Sequence, residues 1–90
     1  MPSALVLFGD RVRELRTARK LSQEKLAEMS AVHRNFIGRV ERAEKNIGII
    51  YLLKISIGLK VNPSELLKPL LKLTLADLPN PKKKKGKKEK

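Results

Sequence analysis

The 90-residue chain has no cysteine, a single histidine (His33), only three aromatic residues (Phe8, Phe36 and Tyr51), and five glycines and five prolines. Without cysteine there is no disulfide framework and no thiolate metal site, which suits a reducing cytosol and leaves the core to stabilise itself. With one histidine there is no cluster of metal ligands, and no carboxylate pair, glycine-rich phosphate loop or nucleophile motif stands on a plausible scaffold. Neither an enzyme nor a bound metal or cofactor is therefore expected. The scarcity of aromatics disfavours a β-sandwich, and so few glycines and prolines leave room for uninterrupted helices.

Long apolar runs are missing as well. The stretch Ile47–Leu53 is cut by Gly48 and ended by Lys54, far short of the roughly 20 apolar residues that cross a bilayer. Ala4–Phe8 has no basic segment before it and runs straight into Gly9, Asp10 and Arg11, so it reads as the start of a helix rather than a signal peptide. A cytoplasmic protein with no membrane partner is expected. Acidic residues are the other deficit, nine against 21 Lys and Arg, for a net charge of +12. Residues 82–90 hold seven lysines and Glu89, so half of the excess lies in this short tail. Such a chain suits an anionic partner, nucleic acid before membrane.

What is present is leucine, isoleucine and valine at helical spacing. A chain of this length supports one core, and the pattern predicts an all-α domain of five helices over residues 1–78. Leu5, Phe8, Val12 and Leu15 recur at steps of three and four, placing helix 1 from Leu5 to about Lys20. Ser22 can cap helix 2, from Gln23 to Met29, with Leu21 stapling onto Leu26. After Ser30-Ala31-Val32, helix 3 runs from Arg34 to Arg42 with Phe36, Ile37 and Val40 inward. Ala43–Gly48 is a loop, and Ile50, Leu53 and Ile57 define helix 4 as far as Leu59. Asn62-Pro63-Ser64-Glu65 carries a capping residue, a proline at the first helical position and a glutamate at the third, opening helix 5 through Leu71. Residues 79–90 have nothing to bury and are expected to be disordered.

Helix 3 carries the functional signal. At about 100° per residue, Arg34, Asn35, Gly38, Arg39 and Arg42 share an arc of roughly 140° opposite the apolar side chains. Arginine pairs bidentately with guanine and asparagine with adenine in the major groove. Gly38 sits in the middle of that arc, where a helical glycine costs about 1 kcal/mol relative to alanine, so a close approach by another backbone is expected there.

These segments resemble the phage-repressor and Cro type of helix-turn-helix regulator, often called Xre-like, which includes restriction-modification controller proteins. The resemblance spans about residues 8–67 and rests on Arg11-Val-Arg-Glu-Leu-Arg16, Leu21-Ser-Gln-Glu-Lys-Leu-Ala27, His33-Arg-Asn-Phe-Ile-Gly-Arg-Val-Glu-Arg42, Glu44-Lys-Asn46 and Asn62-Pro-Ser-Glu-Leu-Leu67. It implies that Gln23 donates to a phosphate and that His33, Arg34, Asn35, Gly38 and Arg39 face bases. Arg42, Lys45 and Asn46 would grip phosphate, and Arg16 would pair with Glu41 as a structural anchor rather than a DNA contact. Two positions depart from the family: Ala31 and Ala43 stand where glycine is usual, which implies strained or shifted turns. Val32 and His33 are poor helix caps, which blurs the start of helix 3.

The implied function is operator binding by a homodimer on double-stranded DNA, to repress or activate transcription. Surplus leucines at Leu66, Leu67, Leu70, Leu71, Leu73, Leu75 and Leu78 are candidates for the dimer contact. An antitoxin that represses its own operon shares this fold, and a protein- or RNA-binding adaptor is a rival from another class. A toxin or the transcription machinery would be further partners in those settings.

Overall fold

The computed structural model describes residues 3–78. The lysine-rich segment, expected to be disordered, lies outside the described residues. Five helices follow one another: α1 (Ala4–Ala18), α2 (Gln23–Ser30), α3 (Arg34–Glu41), α4 (Ile49–Leu59) and α5 (Pro63–Leu67), then single 3-10 turns at Lys68–Leu70 and Leu75–Asp77. No strand occurs among the described residues. The helices surround one core made of Phe8 and Val12 of α1, Leu26 and Ala27 of α2, Ile37 and Val40 of α3, Leu52, Ile55 and Leu59 of α4, and Leu66 of α5.

Helix starts follow side-chain chemistry where a small hydroxyl is available. Ser3 Oγ accepts from the Val6 amide at 3.1 Å, and Ser22 Oγ from the Lys25 amide at 2.9 Å. Helix 3 begins at His33 without a side-chain cap, and helix 5 at Asn62 also without one. Glu65 does not reach back to close a capping box. Its carboxylate instead takes Arg11 Nη2 of α1 at 3.0 Å, while Arg11 Nε donates to its carbonyl at 2.8 Å. Helix 5 also ends four residues earlier than its sequence predicts. Pro69 has no amide hydrogen to give the Glu65 carbonyl, which accepts from Arg11 Nε instead, and the chain tightens into a 3-10 turn after Leu67.

The helix ends share a second device. Lys20, Ala31, Ala43 and Lys60 have φ of 58°, 56°, 62° and 61°, and each closes one of the first four helices. The amide of the following residue then bonds back five residues, Leu21 to Arg16, Val32 to Ala27, Glu44 to Arg39 and Val61 to Ser56, at 2.8–3.1 Å. This is the Schellman arrangement, which glycine usually serves because left-handed backbone costs other residues about 1–2 kcal/mol. The turns at Ala31 and Ala43 thus keep the left-handed geometry and bear its strain.

Helix 4 presents a face other than the one its sequence suggests. Ile50, Leu53 and Ile57 are 60 %, 39 % and 72 % exposed, and Leu52, Ile55 and Leu59 are buried. The helix is apolar around most of its circumference, so either set satisfies a 3.6-residue period.

Candidate nucleic-acid interface

Helix 1 crosses helix 3 at Gly9. A Cβ built there would lie 2.5 Å from the Val40 carbonyl oxygen and 3.0 Å from that of Glu41, so only glycine allows this approach. One and two turns further along α1, on the same side, Arg13 and Arg16 arrive beneath the end of α3. Arg16 Nε donates to Glu41 Oε2 at 2.6 Å and Nη2 to Oε1 at 3.0 Å, with Nη1 on the Leu21 carbonyl at 2.8 Å. Arg13 adds Nη2 to the Glu41 carbonyl at 3.3 Å. The Glu41 side chain has no solvent exposure.

Gln23 completes this cluster. Its Nε2 donates to Glu41 Oε1 at 3.0 Å, so the side chain that the family resemblance assigns to phosphate is held at the junction of α2 and α3. Burial would raise the Glu41 carboxyl, but the hydrogen bonds from Arg16 and Gln23, with the Arg16 and Arg13 charges, hold it below the usual carboxylate range. The start of α2 and the end of α3 are thereby tied to α1 through one buried carboxylate.

On the outer side of α3, His33, Arg34, Asn35 and Arg39 are exposed. Among the described residues, none of these four side chains makes a hydrogen bond or ion pair with a protein group. Phe36 is half-buried and stacks on Tyr51 of α4, ring centroids 4.8 Å apart, with Lys54 Nζ 5.2 Å from the Tyr51 centroid. Lys45 is half-buried and Asn46 exposed, in the loop that leaves α3.

Gly38 is placed differently from its expected position on the outward face. It is buried, and a Cβ there would lie 3.1 Å from Arg42 Nη1 and 3.6 Å from Gln23 Oε1. Two polar side chains cover it in the free protein, so it presents no surface to a base until they move. Arg42 is engaged too, with Nε and Nη2 on the two Glu44 carboxylate oxygens at 3.0 and 3.2 Å.

Sequence reasoning missed three participants: Arg13, the Gln23–Glu41 link and the Glu44 pairing. The one available signal was Arg13 standing one turn before Arg16, on the side of α1 that meets Glu41. Among the described residues there is no group of His, Cys, Asp or Glu placed to hold a metal, and no helix long and apolar enough to cross a membrane.

Comparison with known proteins places this arrangement. The control protein C.BamHI of Bacillus amyloliquefaciens is 41 % identical over 63 residues, covering 69 % of this chain and 78 % of its own. The control protein C.SmaI of Serratia marcescens is 39 % identical over 74 residues, covering 74 % and 88 %. The crystal structure of the restriction-modification controller protein C.AhdI from Aeromonas hydrophila superposes with a TM-score of 0.68 at 48 % identity, over 69 % of this chain and 94 % of that one. The model of the helix-turn-helix family, HTH_3, matches residues 12–66, which take in α2, α3 and the Arg16–Glu41 anchor, and the chain belongs to that family.

Proposed function

We propose that the protein is a restriction-modification controller that binds an operator as a homodimer and regulates transcription. The exposed row of Arg34, Asn35 and Arg39 carries this reading. Among the described residues these donors have no protein partner, and their helix is locked at its far end to α1 through Glu41; a rigid helix with free polar side chains is what base readout requires. Arg34, Asn35 and Arg39 read bases, with His33 at the start of α3 beside them. Gly38 joins them once Arg42 and Gln23 move aside. Gln23, Arg42, Lys45 and Asn46 meet phosphates and set the register.

Dimerisation is supported by helix 4. Ile49, Leu53, Ile57 and Ile50 fall within an arc of roughly 100°, and all four are exposed. A single contiguous apolar strip of this kind suits a twofold contact.

Arg39→Ala tests the reading, with Lys45→Ala as the phosphate control, on a selected site and each of its single-base variants. Losing a bidentate base contact removes about 1–3 kcal/mol of discrimination at one position per half-site, whereas losing a phosphate contact weakens every duplex alike and reduces the salt dependence. Equal weakening of all duplexes by Arg39→Ala defeats the base-reading role.

A further inference from the structure

Three of the four Schellman turns end on an apolar residue. Leu21, Val32 and Val61 follow the left-handed residue and pack against the core, the contact that normally accompanies this motif. After α3 the same position is Glu44. Its amide bonds to the Arg39 carbonyl at 2.8 Å like the others, but its side chain is charged and exposed. The left-handed turn at Ala43 swings the carboxylate back beside Arg42, which terminates α3.

The Arg42 guanidinium is thereby held at two places. Nε and Nη2 make parallel bonds to both Glu44 oxygens, the fork geometry that arginine also uses on a phosphate. Nη1 lies over Gly38, where the missing side chain leaves room for it. Both partners remain about half exposed, so the pair is open to exchange with solvent and with DNA. The Arg42 hydrogen bonds hold the Glu44 carboxyl below the usual carboxylate range against the opposing effect of desolvation, and the Arg42 and Arg39 charges add to the lowering.

We propose that Glu44 is an intramolecular stand-in for a DNA phosphate, holding Arg42 folded over Gly38 and lowering the protein's affinity for duplexes of every sequence. The proposal rests on the assignment of Arg42 to phosphate. When Arg42 moves to DNA it must leave Glu44, and the freed carboxylate stays beside phosphates that repel it, so the pair brings no net charge to the duplex. The exchange therefore contributes little to net counterion release, and an arginine at the rim of the interface adds less to sequence-independent binding than its charge suggests.

The test compares the full-length protein with Glu44→Gln, Arg42→Ala and the double variant on a selected site and a scrambled duplex. Binding is measured between about 50 and 200 mM salt, where one extra phosphate contact changes affinity by about 3.5-fold across the range. Glu44→Gln is expected to bind both duplexes more tightly, with its advantage over the unaltered protein about 3.5-fold greater at the low-salt end for each protomer. Its melting temperature should stay within about 3 °C, because the turn is held by backbone bonds and the side chain is on the surface. In the Arg42→Ala background the gain should fall to less than half. A gain of equal size in that background refutes the proposal, since Glu44 would then act only as a general negative charge, and no gain at any salt refutes it as well. If Arg42→Ala leaves the salt slope unchanged in the Glu44→Gln background, the phosphate role of Arg42 fails instead, an outcome distinct from both.

Discussion

Glu41→Gln removes the charge at the centre of the α1–α2–α3 junction and leaves its partners in place. Glu41 is fully enclosed, Arg16 retains 13 % exposure and Arg13 48 %, so Arg16 is the cation left uncompensated. Breaking a fully buried pair by removing one partner costs about 3–5 kcal/mol, and the residual exposure of the arginines argues for the lower end, ~3 kcal/mol. For a domain of this size, with total stability of about 5–13 kcal/mol, that is a quarter or more of what holds it folded. Urea unfolding should show the midpoint falling with no change in slope. The pH dependence separates charge from packing. The folded-state pKa of Glu41 lies below its ordinary value of 4.5, so the carboxylate contributes stability above that pH and the contribution is lost as pH falls through the lower, folded value. The gap between the unaltered protein and Glu41→Gln should therefore be constant from about pH 7 to 5 and shrink below about 4.5. The paired replacement Arg16→Met with Glu41→Leu should cost less than the sum of the single changes, because neither charge is then stranded. A gap that persists unchanged at low pH, or strictly additive losses, refutes the account of Glu41 as a charged hub.

Gly9→Ala should destabilise by about 1–3 kcal/mol in thermal unfolding, since the added Cβ meets the backbone carbonyls of Val40 and Glu41 and no flexible group can yield. Ala43→Gly should raise the melting temperature by a few degrees, about 1 kcal/mol or less, the relief of left-handed strain being partly offset by greater freedom of the unfolded chain. Ile57→Lys places a charge on the exposed strip of α4. It should shift sedimentation toward the monomer at tens of micromolar with little loss of helical signal, and an unchanged sedimentation coefficient would remove α4 from the dimer contact.

The first three helices were legible because each carries a one-sided apolar pattern and the second has a serine cap. Their ends fall within two residues of the positions that periodicity gives. Helix 4 was legible as a helix but not in its orientation. Leu52, Ile55 and Leu59 and the set Ile50, Leu53 and Ile57 are equally apolar and equally periodic, and only packing against α2 decides between them. The surplus that sequence located in the C-terminal leucines divides accordingly. Leu66 is buried, Leu67 and Leu70 pack against the core, and Leu71 and Leu75 are exposed. The Arg16–Glu41 pairing was expected from family resemblance alone. That Arg13 and Gln23 share the same carboxylate could not be read from spacing, because these contacts join residues 18 and 28 positions apart and depend on how closely α1 approaches α3 at Gly9.

The departures from glycine at Ala31 and Ala43 have unequal consequences. Both turns carry left-handed strain of about 1–2 kcal/mol, and such geometry persists only where the surroundings over-determine it. After α2, the apolar contact of Val32 with the core supplies that constraint, and Leu21 and Val61 do the same after α1 and α4. After α3 the residue in that place is Glu44, so the turn relies on backbone bonds and on the Glu41 network at the last residue of the helix. The one turn of the four without an apolar anchor is thus the one that leads into Lys45 and Asn46, the residues assigned to phosphate. Local adjustment is cheapest there, while the base-facing part of α3 stays fixed by Ile37, Val40 and Glu41 in the core. A reader of DNA benefits from that division, because the base contacts depend on a rigid helix and the phosphate contacts must adapt to a backbone whose path varies with sequence.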